Sequence, residues 1–195
     1  METKLTYDQA RAELLALLRK KSVFFGDFLL SSGAKSSYYI DCKLTTLDPR
    51  GAWLTGHVMC ELIRRHQAAT QATVAAVGGL TMGADPLALA IGIYSHLSNP
   101  SAPYQTFTVR KTPKAHGQTK LIEGNFTKGD SVVVLDDVIT RGDSTIAAIN
   151  AVINEGGSIA FVAALVDRQE GGRQNIEKLG YTVVPAFNRE ELLAR

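Results

Sequence analysis

The chain has 195 residues, 45% of them apolar and 21% charged, with a formal net charge of +2. That is the balance of one globular domain with a full core, expected over 1–195, and it gives no global electrostatic case for nucleic acid. No apolar run approaches the ~20 residues of a membrane span; the N-terminus lacks a signal-peptide core; and Cys42 and Cys60 form neither a metal spacing nor a disulfide framework, so a reducing, cytoplasmic setting is expected.

Thr6 to Lys20 reads as an amphipathic helix, with Leu14, Leu15, Leu17 and Leu18 on its buried face and Arg11, Glu13 and Arg19 mostly outside it. Val23 to Lys43 reads as a hairpin turning at Ser32-Gly33, and its aromatics by themselves suggest packing. Asp48-Pro49 supplies an N-cap and a first-position proline for a helix to about His66. Trp53, His57 and Cys60 lie on that helix, and His57 and His66 read as surface or packing residues. Thr73 to Val77 is a short buried strand. The glycine-rich run Gly78-Gly79-Leu80-Thr81-Met82-Gly83 follows it, a candidate anion site ahead of a helix that starts at Asp85-Pro86 and runs to Leu97.

Thr106 to Arg110 is a strand. After it, Arg110, Lys111, Lys114 and Lys120 supply four positive charges with His116 and no acid, in a segment containing Pro113 and Gly117. Without apolar periodicity it predicts a mobile loop. By composition alone it is a solvated basic loop. A nucleic-acid patch is weaker because no aromatics interleave. The third reading is a lid that closes over a polyanion and excludes water.

The most informative stretch is Ser131-Val-Val-Val-Leu-Asp136-Asp137-Val-Ile-Thr140-Arg141-Gly142-Asp143-Ser144-Thr145. It reads as a buried strand, an acidic pair, a polar loop, and a helix from Ile146 to Glu155 stopped by Gly156-Gly157. Backbone N–H groups of Thr140 to Ser144 at a helix N-terminus suit a phosphate monoester. Thr140 and Ser144 add hydroxyls, and Gly142 permits a left-handed turn or a close approach. The acids must face something other than that phosphate; ribose hydroxyls, a metal's water shell or a developing cation all fit. Neither a Walker nor a Rossmann glycine pattern is present. Ser158 to Val166 is a further buried strand ended by Asp167-Arg168, where the arginine is either a surface charge or a planar fork for a carboxylate. Gly171-Gly172 precedes a helix to about Leu179, Thr182 to Pro185 is a last strand, and Asn188 caps a terminal helix to Ala194.

The run from Val133 to Ser144 resembles the phosphoribosyl-pyrophosphate (PRPP) motif of the type I phosphoribosyltransferases. The resemblance implies that Asp136 and Asp137 contact the ribose hydroxyls and act in catalysis, and that Val138, Ile139, Thr140, Arg141, Gly142, Asp143 and Ser144 complete the PRPP site. The order Phe25-Gly26-Asp27-Phe28, Ser32-Gly33, Ser36-Ser37-Tyr38-Tyr39-Ile40-Asp41 resembles the amino-terminal hood of the orotate phosphoribosyltransferase family, which covers the orotate ring. Arg110-Lys111-x-x-Lys114-x-His116-Gly117 is similar to that family's catalytic loop. By that likeness Arg110, Lys114 and His116 reach the partner subunit's site while Lys111 serves its own, and Lys114 and His116 are catalytic. Arg168 then faces the orotate carboxylate, with Thr140 beside it. Two positions depart from the family pattern: Ser31 and Met82 stand where many relatives carry lysine, and Lys35 is a partial substitute for the first.

The resemblance covers nearly the whole chain. It implies an α/β protein of the type I phosphoribosyltransferase fold, a parallel sheet flanked by helices with an N-terminal hood at about 20–45. It further implies phosphoribosyl transfer from PRPP to orotate with Mg²⁺ held mainly by PRPP and water, a homodimer sharing the loop, and a free-standing enzyme without a decarboxylase domain. A purine phosphoribosyltransferase should lack the hood and Arg168. A PRPP-sensing regulator should carry a helix-turn-helix or a basic face.

Overall fold

The structure, a computed structural model, describes residues 5–29, 35–112 and 120–194. Its elements in chain order are α1 (Tyr7–Lys21), β1 (Val23–Leu29), β2 (Lys35–Ile40), α2 (Lys43–Thr46), α3 (Pro49–Thr70), β3 (Ala76–Leu80), α4 (Ala84–Ser98), β4 (Gln105–Val109), β5 (Ile122–Gly124), β6 (Ser131–Ile139), α5 (Asp143–Asn154), β7 (Ser158–Asp167), α6 (Gly172–Glu177), β8 (Val183–Asn188) and α7 (Arg189–Leu193). Six strands form one sheet in the order β5-β4-β3-β6-β7-β8, parallel throughout except for β5, which pairs antiparallel with β4. β1 and β2 form a separate antiparallel pair, the hood.

Residues alternate between the two faces of the sheet, as the period of two requires. Val133, Leu135, Phe161, Ala163 and Phe187 pack with α1, α3 and α4, while Val132, Val134, Val162, Ala164 and Val183 pack with α5 and α6. Both faces are therefore buried, which explains why β6 and β7 read as unbroken apolar runs. The helix starts are chemically marked. Thr6 and Gln9 form a capping box on α1, Asp48 accepts from the Gly51 N–H on α3, and Asn188 and Glu191 form a second box on α7. Arg11 on α1 pairs with Glu191 at 2.5 Å, tying the chain's two ends together.

Several boundaries differ from the sequence reading. β3 lies three residues further on than expected, so Gly78 and Gly79 are in the strand and the turn is Thr81-Met82-Gly83. A Cβ on Gly78 would lie 2.1 Å from the Phe107 carbonyl oxygen, and one on Gly79 would lie 2.1 Å from that of Leu135. These two glycines are required by strand spacing, which leaves the turn Thr81-Met82-Gly83 as the part of the candidate anion site outside the strand. Asp85 is inside α4 and does not cap it; its carboxylate accepts from Thr81 Oγ1 at 2.6 Å and from Thr108 Oγ1, bracing the β3–α4 turn against β4. The helix read to His66 runs to Thr70, and the one read from Ile146 starts at Asp143. The hood ends at Ile40, and Cys42 and Lys43 lead into the short helix α2. His57 stacks on Tyr94 at 4.7 Å and His66 lies 4.4 Å from Phe161, so both histidines pack. Both cysteines are buried, and burial pushes the Cys60 thiol up to about 12. No described helix is long and apolar enough to cross a membrane.

Candidate active site

A cleft of 760 Å³ opens at the carboxyl ends of β6 and β7, where a parallel sheet places ligands. Its floor is Asp136, Asp137, Val138 and the turn Thr140 to Ser144, and Arg168 and Glu170 form one wall. Phe28, Leu29, Tyr39 and Ile40 cover it from the hood, with Lys43 beside them.

The acids are not after the strand but among its last residues, since β6 continues through them to Ile139. Asp136 accepts from Thr145 Oγ1 at 2.5 Å on the first turn of α5. Burial pushes its carboxyl up to about 7, opposed by the Thr145 bond and reinforced by the charge of Asp137. Asp137 is also raised, by burial first, while Lys43 pulls it back down. Its Oδ1 accepts the Val138 N–H at 3.1 Å, and a Cβ on Gly83 would meet that oxygen at 2.2 Å. Gly83 is thus the turn residue that lets the carboxylate sit against β3's end.

Lys43 was not picked out from the sequence. Its Nζ lies 2.7 Å from Asp41 Oδ1 and 3.9 Å from Asp137 Oδ2. Burial pulls the ammonium down, but the Asp41 hydrogen bond and the charges of Asp137 and Asp41 outweigh it, and the net shift is upward. It is a cation fixed at the acidic floor. Only the Asp41-x-Lys43 spacing hinted at it, and that spacing carries no chemistry of its own.

In the turn, Gly142 has φ 87° and its carbonyl accepts the Ile146 N–H at 2.9 Å. Arg141, Asp143 and Ser144 are exposed, and the N-terminus of α5 faces the cleft. Across the floor, Arg168 is 5% exposed and anchored by its N–H to the Ile139 carbonyl. Its Nη2 lies 2.7 Å from Glu170 Oε1, and its guanidinium stands 5.0 Å from the Tyr38 ring centre. That ion pair falls outside hydrogen-bond alignment; Nε and Nη2 have no hydrogen-bond partner.

The cleft therefore brings together Asp136, Asp137, Val138, Thr140 to Ser144 and Arg168, with Ile139 buried just beneath. Arg110 and Lys111 sit apart, with Thr81, Thr108 and Glu123, around a second cleft of 330 Å³ at the ends of β3 and β4. There Arg110 Nη1 is 3.7 Å from Glu123 Oε1 on β5, a strand the sequence reading did not anticipate. Lys114 and His116 lie outside the described residues, as do Ser31 and the Ser32-Gly33 turn. Lys35 is exposed at the start of β2 and does not line the main cleft. Met82 is 64% exposed.

No protein-family model matches the chain. It is 44% identical over 186 residues to the orotate phosphoribosyltransferase of Aquifex aeolicus, covering 94% of this chain and 97% of that one. It is 42% identical over 192 residues to the orotate phosphoribosyltransferase of Tropheryma whipplei, covering 98% and 86%. The crystal structure of Mycobacterium tuberculosis orotate phosphoribosyltransferase in complex with PRPP superposes with a TM-score of 0.74 at 36% identity, covering 94% of this chain and 98% of that one.

Proposed function

The chain belongs to the orotate phosphoribosyltransferase family, and from that premise we propose how its residues carry the reaction. It transfers the phosphoribosyl group of PRPP to orotate, a pentosyl transfer of pyrimidine (UMP) biosynthesis that yields orotidine 5′-phosphate and pyrophosphate. The observation that carries this reading is one cleft joining a helix-N-terminal phosphate turn, a buried acidic pair and a buried guanidinium beneath an aromatic hood.

The turn Thr140 to Ser144 holds the 5′-phosphate through backbone N–H groups and hydroxyls. Asp136 and Asp137 accept hydrogen bonds from the ribose hydroxyls and face the ring. The C1–oxygen bond to pyrophosphate breaks, the ribose gains positive charge that these carboxylates stabilise, and the orotate ring nitrogen attacks from the opposite face. Arg168 holds the orotate carboxylate with its fork, and Phe28 and Tyr39 cover the ring. Arg110 and Lys111, with Lys114 and His116, serve the leaving pyrophosphate. Oxygen donors at the cleft floor suit a hard cation, but among the described residues no group of three or more His, Cys, Asp or Glu forms a cage. On this reading Mg²⁺ would be held mainly by PRPP and water, and it would supply positive charge on the leaving group.

A homodimer sharing the basic loop fits the exposed apolar stripe Leu89, Ile93 and Leu97 on α4, spaced one helical turn apart; sedimentation checks it. A cytoplasmic site of action fits the free, buried cysteines. The deciding experiment follows orotate absorbance with PRPP and Mg²⁺, with purine bases as control acceptors. Loss of orotate absorbance with no turnover of purines is expected. Turnover of purines alone would return the purine reading, and PRPP binding without any transfer would return the sensor.

A further inference from the structure

Arg168 is buried, and a buried guanidinium needs a counter-charge even when no substrate is present. The chain supplies one two residues later. Asp167 Oδ1 accepts the Gln169 N–H at 2.8 Å, and Gln169 adopts φ 56°, which turns the backbone sharply at the end of β7. Glu170 then places Oε1 2.7 Å from Arg168 Nη2. The same oxygen accepts from Tyr38 Oη on the hood at 3.0 Å. Tyr38 meanwhile lays its ring over the guanidinium that Glu170 balances.

This pairing is incomplete in a telling way. Arg168 Nε and Nη2 have no aligned hydrogen bond, so the fork is balanced in charge without being engaged. Glu170 is partly exposed and lines the same cleft. We propose that Glu170 is a resident counter-ion, a specificity-determining residue that stands against the Arg168 guanidinium in the absence of substrate and is displaced by the carboxylate of the acceptor. A planar aromatic acid offers the bidentate geometry Glu170 lacks, together with a ring for the hood to cover, and so outcompetes it. A small carboxylate brings no ring and cannot. Displacement also takes away the acceptor of Tyr38, so acceptor arrival is registered in the hood. The inference rests on the assignment of Arg168 to the acceptor carboxylate made above.

The test is calorimetry of orotate and of PRPP, separately, on the wild type, Glu170→Gln, Tyr38→Phe and Arg168→Ala, with acetate as a competing small anion. Gln keeps an acceptor for Tyr38 and removes the charge. Glu170→Gln should bind orotate about fivefold tighter, leave PRPP affinity unchanged, and become sensitive to acetate at concentrations the wild type ignores. Tyr38→Phe, which loosens Glu170 without removing it, should shift orotate affinity the same way by less, and it decides the matter should Glu170→Gln not fold. A Glu170 that merely orients Arg168 gives the opposite sign: orotate then binds more weakly in both variants, and the proposal is overturned. If Arg168→Ala binds orotate as the wild type does, the assignment of Arg168 fails instead.

Discussion

β6 carries Asp136 and Asp137 on a strand whose Val134, Leu135 and Ile139 are completely or almost completely buried, whereas β1 and β2 bury only Val23 and Ile40 and leave Phe25 and Leu29 exposed. Both regions line the same cleft. The floor takes its geometry from neighbouring strands and from two layers of helices. The hood is tied at its base and otherwise relies on contacts such as Phe28 with Tyr39, at 5.7 Å, and Tyr38 with Glu170. A closely packed floor can hold charges in fixed positions, and a hood with few buried residues can admit and cover a ligand. The difference teaches that chemistry and access are assigned here to parts of unequal stiffness.

The sharpest way to break that division is at the floor. Asp136→Asn with Asp137→Asn should lower turnover by about two orders of magnitude or more, since groups stabilising transition-state charge contribute on that scale. The circular dichroism spectrum should be unchanged, because the amides keep the shape. Near-wild-type turnover would falsify the assigned role. Next is the wall: Arg168→Ala should weaken orotate binding by ~2–5 kcal/mol, at least roughly tenfold, and spare PRPP, as separate titrations can show. The stiffness difference itself is read in urea melts. Leu135→Ala should cost about 2–5 kcal/mol, while Leu29→Ser, at a position 74% exposed, should stay within about 0.5 kcal/mol. Equal losses at the two positions would contradict the comparison.

The smallest effect belongs to Lys43, at the seam between the regions. Asp137 is faced by Lys43 and Asp41 from the hood side, by Asp136 on its own strand and by the Cys42 thiol. The lysine lowers a carboxyl that burial raises, so Lys43→Met should raise it further. On the proposed mechanism activity needs the anion and fades as the carboxyl takes up its proton. The acidic limb of kcat/KM for PRPP should therefore move to higher pH, with Lys43→Arg restoring it. A uniform loss at every pH would indicate damage to packing.

Much of the floor was legible because its signals are local. The apolar run of β6, the acids, the turn and the Gly156-Gly157 stop follow one another along the chain. Even so, Val138 and Ile139 were apolar enough to show that the strand passes through the acids. Gly78 and Gly79 misled for a physical reason: a glycine beside a turn suggests backbone freedom, and only the positions of the Phe107 and Leu135 carbonyls reveal that it is close packing. β5 is three residues paired at an edge, too short to leave a pattern. Lys43 and Glu170 act across gaps of about ninety and about a hundred and thirty residues, to Asp137 and Tyr38. No period or motif in the chain encodes those pairings.

Asp136 is a carboxylate kept almost out of water, with one hydroxyl and backbone amides to support it. Its folded-state value of about 7 lies above the ordinary 3.8. Between those values the folded chain binds more protons than the unfolded one, so stability falls as pH rises through that window and the penalty is complete above it. Ionised Asp136 thus costs the fold stability once pH has risen past neutral. A ligand whose hydroxyls donate to the ionised carboxylate offsets that cost, so the sugar donor should stabilise the fold more at pH 8 than at pH 5. Proton release on donor binding is the calorimetric face of the same linkage.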